Sequence, residues 1–403
     1  MSAVEQRVKE FETLAEVMED LDALGIQGMQ RYRVVNQFLS LKARYSDTPI
    51  SGTFELTPLC NLDCKMCYVH LNANQLKRDE RLLTLDEWKA IARQCVDAGM
   101  LYVTLTGGEC LTYPQFKELY LYIVSLGIQP DVMTNGRLLT DEMIEFFVKY
   151  PPGVMQISLY GSCEDAYEKV TGHRACQQVL AGIERAKNVG LNLTLAITPN
   201  RFMQEDASAL LDLVHSLGLP YSIGGATLQA RPETQREILE YAVDMDAYFA
   251  LQDAEKAYIE ALPQNPNAIT VPRYYPIATK ELKGLPCGGA HSSFHVNWKG
   301  ELCPCIAFAA SVHYSLTERG FPEAWRLVRE TMETYRLPAE CSTCKNKEFC
   351  ISCPGEKCMS DVNGRLNRAV CQRLELHLSR NSVSEKNSDG GLHCEESVSC
   401  AGG

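Results

Sequence analysis

Three cysteines in one short segment are the first residues of this 403-residue chain with chemistry of their own. Cys60, Cys64 and Cys67 stand as C-x3-C-x2-C within LTPLCNLDCKMCYVH. Three thiolates on one loop can hold three irons of a cubane and leave its fourth iron open to a ligand. The same thiolates with His70 as fourth donor would make a zinc site, and spacing alone leaves both readings standing. A second crowd of cysteines begins at Cys287. It runs C-x12-G-x4-C from Cys287 through Gly300 to Cys305, then Cys341-x2-Cys344-x5-Cys350-x2-Cys353, and ends at Cys371, with Cys303 and Cys358 as extras. Taken by itself, the block from Cys341 to Cys353 suits a zinc ribbon.

Composition says where such thiols belong. The chain has 18 cysteines, yet it opens on the acidic, polar MSAVEQRVKEFETLAEVMED, which is no secretory signal. Bunched cysteines without export point to a reducing, cytoplasmic setting and to metal rather than disulfides. With 39 Lys and Arg against 51 Asp and Glu, the net charge is −12 and no dense basic block occurs, so neither nucleic acid nor an acidic membrane is an expected partner. No apolar run approaches the roughly 18 residues of a membrane span.

The elements that must position the cysteines show a regular rhythm. β-rich runs at 53–57, 101–105, 130–134, 154–159, 192–197 and 220–224 alternate with helical patterns at about 84–98 (with Thr84 as N-cap), 114–126, 140–149, 175–189 and 204–217. Six parallel βα units predict a partial (β/α)6 TIM-like barrel, whose chemistry sits on the loops at the C-terminal strand ends. The first cysteine loop follows the first strand. Apolar residues from Val8 to Leu21 at helical spacing, with a second helical stretch over 30–44, predict a helical N-terminal arm over 1–50. The barrel then spans 51–232, a proline-rich helical connector 233–286, a small cysteine-rich domain 287–380 and a flexible tail 381–403. The cysteine-rich part is too poor in periodic apolar sequence to fold well unless metal supplies free energy.

CNLDCKMCY resembles the cluster loop of the radical S-adenosylmethionine (SAM) enzymes, over roughly residues 50–230. TGGE at the second strand end, with Gly107, Gly108 and Glu109, resembles that family's GGE motif, although Cys110 follows where proline is common. The resemblance implies a [4Fe-4S] cluster on Cys60, Cys64 and Cys67 whose open iron binds SAM. The two glycines would let backbone approach the ligand closely. Backbone there and the Glu109 carboxylate would hold the SAM ammonium, Ser158 in ISLYG would give a polar contact, and Arg174 would reach the methionine carboxylate. Met66 and Tyr68 flank Cys67 in the stretch that lies against adenine, Met66 standing where an aromatic residue is common. The implied chemistry is one-electron cleavage of SAM to a 5′-deoxyadenosyl radical, which takes hydrogen from an unactivated C–H bond.

The second cysteine region resembles the SPASM domain, which carries two auxiliary clusters and so brings the total to three [4Fe-4S] clusters. Cys287, Cys305 and Cys353 would serve the nearer auxiliary cluster, and Cys341, Cys344, Cys350 and Cys371 the outer one. Cys350-x2-Cys353 departs from the usual x3 spacing. Cys303 lies two residues from Cys305, hence on the same side of a strand, and could be a fourth ligand of the nearer cluster. SPASM relatives mostly modify peptides or proteins. A cysteine-to-formylglycine sulfatase maturase would carry Asp directly after Cys305, where this chain has Ile306. The expected reaction is therefore oxidative crosslinking of a ribosomally made peptide, first a Cys thioether, with carbon–carbon crosslinking or formylglycine formation as alternatives. A flavodoxin or ferredoxin would supply electrons. Residues 1–50 are too short for a complete leader-recognition domain, so the arm, another surface or a separate leader-binding protein would take that role. Asp131, Tyr160, His291 and His295 are conceivable bases, none of them singled out. Cys95, Cys163 and Cys176 read as packing residues, and Cys394 and Cys400 as unligated.

Overall fold

The computed structural model describes residues 8–79, 81–203, 205–224, 230–234, 245–261, 273–278, 281–347 and 353–357. It also describes positions 236, 238, 241, 350, 366, 368, 371–372, 374–375 and 378. The tail 381–403, with Cys394 and Cys400, and Cys358 lie outside the described residues. Eleven strands occur among the described residues: β1 (Val8–Phe11), β2 (Ser51–Glu55), β3 (Tyr102–Thr106), β4 (Gln129–Thr134), β5 (Met155–Leu159), β6 (Leu193–Ile197), β7 (Tyr221–Ile223), β8 (Arg273–Pro276), β9 (Ser293–Val296), β10 (Glu301–Cys303) and β11 (Tyr314–Ser315).

β2 to β7 pair in sequence order, every pair parallel, as the six-unit rhythm predicts. Their side chains alternate as a sheet with one packed face requires. On β5 and β6, Met155, Ile157, Leu159, Leu193, Leu195 and Ile197 are buried, while Gln156, Ser158, Thr194 and Ala196 on the opposite face stay partly open. The buried face receives the helices. Leu85–Asp97 starts at a capping box between Thr84 and Glu87 and buries Trp88, whose ring lies 5.3 Å from that of Phe54.

The sheet does not stop at the barrel. β9 pairs in parallel with β2, and β10 and β11 add antiparallel strands beyond it, giving one sheet in the order β11-β10-β9-β2-β3-β4-β5-β6-β7. The segment expected as a separate cysteine-rich domain thus begins by extending the barrel's own sheet. Gly52 makes the junction possible, because a Cβ there would stand 2.8 Å from both Met100 Sδ and the Phe294 ring.

The N-terminal arm differs from expectation. Val8–Phe11 is not the start of a helix but a strand, paired in parallel with β8 from the connector. The helix begins at Leu14, after a Thr13–Glu16 capping box. A partner some 265 residues away is invisible to local periodicity. Asp20 ties the unit together, accepting Lys9 Nζ at 2.5 Å and the Tyr274 hydroxyl at 2.6 Å. Val17, Leu21, Ile26, Val34, Phe38 and Tyr274 form its own small core. Among the described residues no helix is long and apolar enough to cross a membrane.

Gly52→Ala should destabilise the protein by about 1–3 kcal/mol, the usual cost of overpacking a tight contact. Urea unfolding checks this, and an unchanged midpoint would show that the Phe294 ring gives way freely.

Candidate active site and metal centres

The loop carrying Cys60, Cys64 and Cys67 leaves the C-terminal end of β2 and is stitched to the end of β3 by main-chain hydrogen bonds. Gly108 N–H donates to Thr57 O at 2.6 Å and Glu109 N–H to Leu59 O at 2.9 Å. A Cβ at Gly107 would fall 2.7 Å from Thr57 O, and one at Gly108 2.5 Å from Leu59 O. The two glycines are therefore required first by the cysteine loop itself. On its other flank Asp63 N–H donates to Thr171 O at 2.9 Å and Lys65 N–H to Val170 O at 3.0 Å.

Donors surround the sulfurs. Leu62 N–H reaches Cys60 Sγ at 3.4 Å, Asn135 Nδ2 reaches it at 3.5 Å, and His70 N–H reaches Cys67 Sγ at 3.3 Å. Burial pushes the Cys60 thiol up to about 12, with the Glu109 and Cys67 charges adding to it. Burial raises Cys64 and Cys67 as well, and the three sulfurs lie close enough for their charges to oppose one another. Three thiolates so placed need a cationic centre, and N–H donors on sulfur are what such a centre's ligands require. Among the described residues, no three Cys, His, Asp or Glu side chains close on one point as a single metal ion demands. His70, the would-be fourth zinc donor, has its Nδ1 3.2 Å from Asp63, a contact compatible with either zinc or iron. This donor set fits an iron–sulfur cluster, whose thiolates sit apart at its corners.

Glu109 is tied into the frame of the site. Its buried carboxylate accepts Leu111 N–H at 3.1 Å, Thr134 Oγ1 at 2.9 Å and Asn135 N–H at 2.7 Å. It ties the end of β3 to the end of β4. Asn135 in turn holds Asn61 Oδ1 at 2.7 Å beside its contact to Cys60, and Arg137 donates to Asn61 O. Thr134-Asn135-Gly136, a turn signal in the sequence, is thus part of the support for Cys60. Ser158 is partly open on the inner face, with the Tyr160 hydroxyl within reach of both it and Cys64. Met66 is buried in the main core. Arg174 is exposed and pairs with Asp165 at 2.5 Å and Glu168 at 3.0 Å, because the helix Glu164–Thr171 presents both acids beside it.

A buried charge cluster that sequence reading missed lies next to this loop. Glu55, the last residue of β2, receives both ends of the Arg231 guanidinium at 2.6 and 2.7 Å, and His295 Nε2 stands 3.6 Å away. Burial alone would push Glu55 up, but the Arg231 charge and the His295 contact outweigh it and hold the carboxyl at about 2. Arg231 N–H also donates to Tyr68 O at 2.9 Å, and its guanidinium lies 5.8 Å from the Tyr68 ring. Of the other conceivable bases, Asp131 accepts Val154 N–H at 2.7 Å and His291 contacts Asp47 at 2.8 Å.

The second cysteine region divides in space. Cys305 is raised to about 12 by burial first, then by the charges of Cys287 and Cys353. Cys303 pairs in register with His295, which pairs with Thr53 of β2, so these side chains share one face of the sheet. Beside burial, the largest influence on Cys303 is Arg231. β10 ends at Cys303, so the same-side-of-a-strand argument does not extend to Cys305. Further out, Cys371 is raised by burial and then by Cys350 and Cys344, and Asn346 N–H reaches Cys344 Sγ at 3.4 Å. Cys344 N–H donates to Cys341 O at 3.4 Å on the same turn.

A parallel βα sheet with a three-thiol loop at the end of its first barrel strand defines an enzyme that keeps a metal cluster at its strand ends. Residues 54–214 match the radical SAM superfamily, and the chain is a radical SAM enzyme, which brings SAM and a [4Fe-4S] cluster. It is similar to the AdoMet-dependent heme synthase of Methanosarcina barkeri, 23% identical over 76% of this chain and 92% of that protein. It is similar also to the mycofactocin maturase MftC of Mycobacterium tuberculosis, 26% identical over 79% and 80%. The fold matches that of Streptococcus suis SuiB bound to S-adenosylmethionine, with TM-score 0.62 and 18% identity over 89% of this chain and 87% of that one.

Gly108→Ala should leave a folded barrel whose iron content after anaerobic reconstitution falls severalfold, because the added methyl displaces the loop backbone; circular dichroism and iron analysis check both halves. Glu55→Gln should cost about 3–5 kcal/mol by leaving Arg231 buried without its counter-charge. Since the folded Glu55 titrates far below its ordinary value, its contribution is present at neutral pH and is lost as pH falls from about 4.5 towards 2. The stability difference between wild type and Glu55→Gln should therefore shrink in acid, as denaturant titrations from neutral to acid pH would show.

Proposed function

We propose that this enzyme matures a ribosomally made peptide by oxidative crosslinking, with thioether formation at a peptide cysteine as the specific reaction. The observation that supports this reading is that Cys305 lies under the charges of Cys287 and Cys353, while Cys303, next to Cys305, is influenced most, after burial, by Arg231. Cys287, Cys305 and Cys353 would hold the nearer auxiliary cluster and leave one corner for a ligand from outside, and a soft thiolate suits iron there. Cys60, Cys64 and Cys67 would hold the SAM-binding cluster, and Cys341, Cys344, Cys350 and Cys371 the outer one. SAM would lie against the backbone around Met66, Tyr68, Gly107 and Gly108, with Ser158 nearby. Bound there, cluster and SAM together supply a carbon radical that abstracts hydrogen. The chain's own part would be orientation: Gln156, Ser158, Thr194 and Ala196 are partly open on the inner face, where the substrate would lie. Glu55, Arg231 and His295 close the far side of that face without net charge, provided His295 is neutral, as its burial favours.

Relatives support a peptide substrate. MftC is named a maturase, and SuiB has also been crystallised with its precursor peptide SuiA. A flavodoxin or ferredoxin would reduce the clusters. The N-terminal unit or a separate protein would hold the leader. A second reading, a heme-type substrate, draws on the length of the match to the heme synthase.

Anaerobic incubation with SAM, a reductant and a short Cys-rich peptide encoded beside the gene, followed by mass spectrometry, decides between them. Loss of two hydrogens, with fragmentation placing the new bond at sulfur, is the expected result. The same loss with every thiol still alkylatable would mean a carbon–carbon bond. A cysteine side chain turned to aldehyde would mean formylglycine formation. An unchanged peptide, together with consumption of a heme precursor, would favour the second reading. Iron analysis should give about twelve atoms per chain for three four-iron clusters.

A further inference from the structure

Two arginines that follow β7 in the chain, Arg231 and Arg236, both contact the cysteine loop. Arg231 enters the Glu55 pair and donates its N–H to Tyr68 O at 2.9 Å. Thr234 then closes a short turn, its hydroxyl on Arg231 O at 2.7 Å and its carbonyl taking Gln75 Nε2 at 3.4 Å. Two residues later Arg236 reaches the loop itself. Its Nη1 donates to Cys64 O at 3.0 Å, its Nη2 pairs with Asp63, and it stands 3.3 Å from His70 Nδ1. Cys64 O also accepts Cys67 N–H at 3.1 Å, so one carbonyl joins the guanidinium to the turn between two cysteines. The Arg236 side chain is only 26% exposed, against 59% for Asp63.

We infer that Arg236 is a positioning residue that sets the reduction potential of the cluster held by Cys60, Cys64 and Cys67, with Asp63 as its opposing charge. Reduction places one more electron on the cluster. A fixed positive charge against its ligand loop stabilises the reduced form, and a fixed negative charge opposes it. The charge is permanent, because an arginine does not deprotonate at these pH values. Partial burial preserves its effect, while the paired Asp63 cancels part of it. Removing either partner exposes the other, so the two single substitutions act in opposite directions. A clamp that merely shaped the loop would not produce that sign pattern. The inference rests on the assignment of the three cysteines as ligands and on no particular substrate.

The experiment is potentiometric titration of the full-length, anaerobically reconstituted enzyme, followed by electron paramagnetic resonance. The SAM-binding cluster is identified as the signal that changes when SAM is added. Arg236→Gln should lower its midpoint by about a tenfold change in the one-electron equilibrium, which is 59 mV. Asp63→Asn should raise it by a similar amount, and Arg236→Lys should recover most of the wild-type value. Equal iron content in all variants accompanies the expected result. Unchanged midpoints, shifts of the same sign, or Arg236→Lys behaving as Arg236→Gln would overturn the inference. If Arg236→Gln fails to hold a cluster, Asp63→Asn decides: a raised midpoint supports the role, and an unchanged or lowered one refutes it. A wild-type protein with no SAM-sensitive signal would overturn the ligand assignment and this inference with it.

Discussion

Everything at this site depends on a short seam of main-chain hydrogen bonds between the cysteine loop and the end of β3. Gly108 and Glu109 donate to Thr57 and Leu59 across a gap that no Cβ at 107 or 108 could enter. Because those donors are backbone, the loop's position is inherited from the sheet rather than from flexible side chains. Glu109 and Asn135 then carry the constraint onward, so β2, β3 and β4 all meet around Cys60.

A second constraint works across the sheet. β9 docks on β2 in parallel, which brings His295 and Cys303 to the face where Glu55 meets Arg231. A buried ion pair is an expensive way to gain stability. Here it lies where the first barrel strand, the segment after the sixth and the C-terminal extension converge. That convergence brings Cys303 near Arg231 and Glu55, with Cys305 also among its charged neighbours.

Much of the fold was legible. The six parallel strands and the capping box at Thr84 follow from periodicity and from residues a few places apart. Cys60, Cys64, Cys67 and the Gly107-Gly108-Glu109 turn were legible for the same reason, since they are local motifs at strand ends. Val8–Phe11 was misread because its apolar spacing fits a helix, and only a strand from the connector makes it a strand. The acids beside Arg174 were not legible, because position in a motif does not say which groups stand beside a side chain.

The sequence by itself determined the donor types, the order of βα units and the end of the barrel at which chemistry belongs. These depend on neighbours in the chain, whose geometry a few residues specify. Only the tertiary structure decided that Glu109 faces inward, that Arg231 and Arg236 contact the cysteine loop, and that Cys303 comes near Arg231 and Glu55. Those outcomes depend on contacts between residues from about 25 to about 250 positions apart, which compete for the same buried space. No local pattern encodes the winner of that competition.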